Sequence, residues 1–192
     1  MYNMINMNIN KTLEKENRNN IFVLVVLIIF GITSRLLPHP ANFTSIGAIL
    51  LFGGFYFKKE WKIIAPLAIM FISDSFLGFY DLKLMAVVYF CFFLYFIFGH
   101  YIKSNKIFLG SFGFSLLGST LFFIITNFAV WAFAGWYPHT SVGLLNCYFL
   151  ALPFFFNTLA GDLFYTGAIF GIYKLAEDPK KILNYKRYLR HV

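Results

Sequence analysis

Six apolar stretches, 21–37, 43–57, 62–78, 84–102, 108–134 and 148–172, fill most of the chain, and its Lys and Arg residues gather between them and in the two tails. A helix that crosses a bilayer needs about 20 mostly apolar residues, because the hydrocarbon is about 30 Å thick and each residue rises about 1.5 Å. Stretch 43–57 is the short one, either an untilted crossing or part of a re-entrant turn. Stretch 108–134 is long, and Gly110, Gly113 and Gly118 give it places to bend. Soluble domains average about 25% charged residues. This chain has 12%, with 59% hydrophobic and 22% aromatic residues, so its solvent is a bilayer. The expected fold is all-α: a polytopic membrane protein with six transmembrane helices over 21–173, an N-terminal tail over 1–20 and a basic C-terminal tail over 174–192.

Charge sets the orientation. With the N-terminus inside, only Arg35 and Lys83 of the sixteen Lys and Arg residues fall outside. The positive-inside rule then places both termini in the cytoplasm. The apolar run 21–37 leads into GITSRLLPHPAN, which has an Arg where a signal peptidase needs small residues, so it reads as a retained helix. In TNFAVWAFAGWYPHT (126–140), the fifth helix ends without a charge. Trp136 and Tyr137 suit the headgroup level there, where amphipathic rings serve instead.

An ionisable residue within a span costs about 2.5–3.5 kcal/mol on insertion scales and calls for a partner or a wet cavity. Arg35, Asp74 and Asp162 are such residues, and Asn127 and Asn157 are amides in apolar runs. Helical spacing puts Asn127 and Trp131 on one face, and Thr158, Asp162 and Thr166 on another. Asn157 lies about 140° round from Asp162 on an ideal helix. The outer ends of helices one, three and five thus each carry a polar group, which points to a pocket open to the outside. The uncharged segments 38–44 and 137–146 would close it. Arg35 and Asp74 equally fit an interhelical ion pair, and the two Asn residues fit interhelical hydrogen-bond glue. His39 and His139 lie in outer loops and read as structural; no metal site is expected.

Several functions are excluded. Cys91 and Cys147 offer neither a disulfide framework nor metal-ligand spacing. The net charge of +8 follows topology and does not line one soluble face, which argues against nucleic acid. No HExxH, GxSxG or phosphate-binding Gly-Lys loop is present, so no enzyme and no cofactor are expected. Tyr80-Asp81 and Gly161-Asp162 imitate the paired motifs of intramembrane aspartyl proteases, but Asp81 belongs to a surface loop beside Lys83, too far from Asp162 to share a proton.

The string Arg35-Leu36-Leu37-Pro38-His39-Pro40, Asn42-Phe43-Thr44, Gly53-Gly54, Ser73-Asp74, Thr126-Asn127 with Trp131, Tyr137-Pro138, and Asn157-Thr158 followed by Gly161-Asp162 resembles that of an uncharacterised family of bacterial membrane proteins described as putative transport proteins. That family is in turn similar to the substrate-binding S components of energy-coupling factor (ECF) vitamin transporters. The resemblance implies an S-component-like bundle in the bacterial inner membrane that captures a vitamin-like micronutrient from outside. It also implies partners: a transmembrane coupling protein and ATPases. Arg35, His39, Asn42, Asp74, Asn127, Trp131 and Asn157 become pocket candidates through it, and Tyr137 and Asp162 complete the set. Recognition would be led by Trp131 and Asn127, with Arg35 facing an anionic group. Many S components dock through an AxxxA-type motif on the first helix, where this chain has the bulky FVLVVLIIFGIT (22–33). A solitary carrier and a structural subunit without a pocket are the alternatives.

Overall fold

The computed structural model describes residues 2–57 and 61–177. Among them are six α-helices and one 3-10 turn, with no strand: α1 (Tyr2–Leu36), α2 (Ile46–Tyr56), α3 (Trp61–Leu77), α4 (Leu82–His100), the turn Ser104–Lys106, α5 (Ile107–Phe133) and α6 (Ser141–Glu177). By length and composition α1, α4, α5 and α6 can each cross a membrane; α2 and α3 are shorter apolar helices. Segment 1–20, read as a tail, is helical from Tyr2 as part of α1. The sixth stretch, expected at 148–172, begins already at Ser141. Thr140 accepts a hydrogen bond from the Gly143 N–H at 3.1 Å and so caps the helix ahead of the apolar run. Lys58, Lys59 and the basic segment 180–192 lie outside the described residues.

The shortest helix is the centre of the bundle. Seven consecutive residues of α2, Ile46 to Phe52, are buried on every side. A helix that is apolar all round belongs inside a protein. Helices α4, α5 and α6 pack around it, while α1 and α3 pair with each other alongside. Backbones meet where α2 crosses α4: a Cβ added at Gly54 would strike the Phe96 carbonyl, and one at Gly99 the Leu51 carbonyl. At the end of the bundle that holds Lys103 and Lys106, Phe52 stacks on Tyr56 and meets Phe170 and Tyr173 edge-on. Exposed Phe, Leu, Ile and Val side chains cover the outside of the spans. That is the surface a lipid-facing bundle presents, since lipid tails are as apolar as Leu.

Candidate functional site

Three polar assemblies come from the ionisable and amide residues singled out above, all toward the end of the bundle that carries the α1–α2, α3–α4 and α5–α6 loops. The first ties α1 to α3 and α4. Arg35 Nη2 lies 2.7 Å from Asp74 Oδ1, and its Nη1 donates to Ser73 Oγ at 2.6 Å. The Tyr89 hydroxyl donates to the other Asp74 oxygen at 2.7 Å. Asp74 is 1% exposed and the Arg35 side chain 17%. Of the two roles the sequence allowed for Arg35 and Asp74, the pair with each other is formed. Tyr80 sits in the neighbouring loop; partial burial pushes its hydroxyl up to about 12, with the Asp74 carboxylate adding and Arg35 opposing.

The second assembly surrounds Asp162. Its Oδ2 accepts from the Tyr95 hydroxyl at 2.5 Å and lies 2.6 Å from Ser119 Oγ, so α4, α5 and α6 meet on one carboxylate oxygen. Asp162 is 3% exposed and Tyr95 1%. Two glycines make the room. A Cβ at Gly47 would strike Asp162 Oδ1 and the Tyr95 ring, and one at Gly118 would strike the same ring. Thr166, one turn from Asp162, reaches Ser115 Oγ at 3.3 Å. The stripe Thr158, Asp162, Thr166 therefore faces the interior, as its spacing predicted.

The third is the α5–α6 turn. Trp131 Nε1 donates to the Pro138 carbonyl at 3.0 Å, and its ring meets His139 edge-on at 5.4 Å. Gly135 allows the turn with φ +70°, a conformation that costs an L residue about 1–2 kcal/mol. A Cβ at Gly143 would strike the Pro138 carbonyl, so the loop lies flat on the start of α6. The C-terminal end of α5 is fastened by a hydrogen bond and a ring contact, with no charge required.

A cavity of about 340 Å³ connects the first two assemblies. Arg35, His39, Asn42 and Tyr80 stand toward its exposed side, and Gly47, Tyr95 and Asp162 form its most buried part. Phe92, Phe122, Val88 and Ile46 supply apolar wall, with Thr44 and Thr158 between. Asn42 has φ +66°, a left-handed backbone for which Asn is one of the few suited side chains. Of the nine residues expected at a pocket, Arg35, His39, Asn42 and Asp162 line this cavity, and Asp74 supports it from behind through Arg35. Four stand apart from the lining. Asn127 donates to the Phe123 carbonyl of its own helix at 2.7 Å, and Trp131 is occupied by the turn. Tyr137 lies in that turn, and Asn157 is rotated away from the Thr158–Asp162 face, as its angle on the helix requires. The two residues expected to lead recognition, Trp131 and Asn127, thus stand outside the lining of this cavity, each with a side-chain N–H donated to a nearby carbonyl.

The sequence does not single out Tyr95, Ser119 or Gly47, and Gly118, expected only as a place to bend, clears room for the Tyr95 ring. Tyr95 hides in the aromatic run CFFLYFIF, but Ser111, Ser115 and Ser119 recur every four residues and are all fully buried, a polar stripe that marks the α5 face turned to α6. Asp81 accepts from the Lys83 and Leu84 N–H groups at 3.0 and 3.1 Å and caps α4, so it has no part in a carboxylate dyad. Among the described residues no cluster of His, Cys, Asp and Glu could hold a metal ion.

No curated protein and no solved structure matches this sequence. A family model does match, over residues 15–184, which takes in every helix that builds the cavity. The chain belongs to the family of unknown function DUF6580.

Proposed function

We propose that this chain is the solute-binding component of a bacterial inner-membrane transporter, taking up a small organic, vitamin-like micronutrient from the outer side without enzymatic chemistry. The observation that carries the reading is the cavity: polar groups from α1, the α1–α2 loop, the α3–α4 loop and α6 converge on an aromatic-walled space of about 340 Å³. That volume sits at the lower end of the about 300–1,000 Å³ range of small-molecule sites. In this reading α2 and α3 complete six crossings. An 11-residue α2 rises only about 17 Å, and it can be short because it is enclosed by its neighbours and never meets lipid. Both termini are cytoplasmic, so the cavity opens outward.

Energy for uptake comes from a coupling protein with ATPases, or from a gradient if the chain works alone. The bulky 22–33 segment of α1 favours the solitary carrier, because α1 lacks the small-residue docking stripe of S components. The test is thermal unfolding of the purified protein against a panel of water-soluble vitamins and precursors. A ligand at a hundredfold excess over its Kd should stabilise the folded form by about 2.7 kcal/mol. Absence of a shift with any member, together with an intact fold, would favour a structural subunit.

A further inference from the structure

We infer that the solute enters with a protonated nitrogen, held by Asp162 at the buried end of the cavity. This rests on the solute-binding reading above and names the chemical class it takes. Both described hydrogen bonds to Asp162 fall on Oδ2, which leaves Oδ1 without a hydrogen-bond partner among the described residues. Yet no fully buried side-chain N or O atom among those residues lacks a partner. Oδ1 is therefore reached by the cavity that Asp162 lines. It lies against Gly47, where any side chain would cover it.

Among the described residues that line the cavity, Arg35 is the one Arg or Lys, and it is bound to Asp74 and Ser73 and not to this oxygen. A buried carboxylate without a cation is costly in a low dielectric, and an incoming N–H⁺ removes that cost while making a charge-assisted hydrogen bond. The walls are compatible with this, since the aromatic side chains of Phe92, Tyr95 and Phe122 line the same space, and aromatic faces attract cations. The Tyr95 and Ser119 hydroxyls hold the carboxylate in place and spend themselves on Oδ2. Oδ1 is left as an acceptor for which the described residues supply no donor. An anionic solute would meet this group as a like charge.

The test uses the chain with Cys91 and Cys147 replaced by Ala and a single cysteine at the cavity wall, Thr158→Cys, in lipid nanodiscs. Two thiol reagents of similar length are compared, the aminoethyl and the sulfonatoethyl methanethiosulfonates, each normalised to its rate with a free thiol. The ammonium reagent should react at least about tenfold faster than the sulfonate, and the preference should fall to about one when Asp162→Asn is added. If that variant does not fold, the rate ratio with Asp162 present still decides. Equal rates, or a faster sulfonate, would overturn the inference and leave a solute cavity standing. If neither reagent reacts while a cysteine in the Gly135 turn does, the cavity is sealed and the solute-binding reading falls with it. Protection of the thiol introduced by Thr158→Cys by tryptamine but not by tryptophol, its neutral isostere, would extend the result from reagent to ligand. Equal protection by both would count against it.

Discussion

Removal of Arg35 isolates a carboxylate that is 1% exposed. Arg35→Met keeps the length and much of the volume of the side chain but takes away the partner 2.7 Å from Asp74 Oδ1. Breaking a buried pair from one side costs about 3–5 kcal/mol. Here the Tyr89 hydroxyl still holds Oδ2, and the guanidinium side chain was 17% exposed, so some water reaches the gap. Both features place the cost near the lower bound, about 3 kcal/mol. Asp74→Asn alone leaves a less costly mismatch, a neutral amide beside Arg35, for about 1–3 kcal/mol. Because each single change strands the other group, the double variant should be less destabilised than the sum by about 0.5–3 kcal/mol, the range found for coupled neighbours. Reversible unfolding of the four proteins in mixed micelles gives the cycle directly. An additive result within about 0.5 kcal/mol would mean that the ion pair does not hold α1 to α3, and the reasoning about its burial would be wrong.

Further outcomes follow from the same geometry. Gly54→Ala and Gly99→Ala each drive a methyl into the backbone of the facing helix and should cost at least about 1–3 kcal/mol. Gly113→Ala, with nothing within 4 Å of the added methyl, should be neutral or stabilising by up to about 1 kcal/mol; equal costs in unfolding assays would refute the α2–α4 backbone contact. Asn42→Gly keeps the left-handed backbone and should preserve stability, whereas Asn42→Val should lose about 1–2 kcal/mol. If Asn42→Gly also keeps ligand affinity, the side chain serves the loop alone. Trp131→Phe removes the hydrogen bond to the Pro138 carbonyl and should cost about 1 kcal/mol without changing ligand affinity; a tenfold loss of affinity with stability unchanged would return Trp131 to the binding site.

Much of the fold was legible because hydrocarbon is a demanding solvent: runs of apolar residues had to be helices, and their limits moved by only a few residues at α4 and α5. The order of the core was not legible. Hydropathy cannot tell a lipid-facing run from a buried one, and the short stretch read as an untilted crossing or part of a re-entrant turn is a helix enclosed by α4, α5 and α6. At the site, Asp162 with Thr158 and Thr166 followed from a spacing of four on one helix. Tyr95 and Ser119 did not, because meeting Asp162 depends on how three helices pack, with Gly47 and Gly118 clearing the space. Polarity alone did not show where Trp131 and Asn127 would find their partners. A tryptophan N–H or an amide in an apolar run needs a hydrogen-bond partner, and a carbonyl of the next loop or of its own helix is as good a partner as a solute.

Solute capture requires that the space between α1, α4, α5 and α6 be wet and open to the outer face of the membrane. Thr158 lines that space, while Thr120 is exposed on the outside of α5 and bonded to the Leu116 carbonyl of its own helix. In spheroplasts expressing the chain without its native cysteines, an impermeant trimethylammonium thiol reagent added from outside should label Thr158→Cys and spare Thr120→Cys. Labelling of Thr158→Cys only after the membrane is opened, or no labelling while Thr120→Cys reacts, would contradict the account.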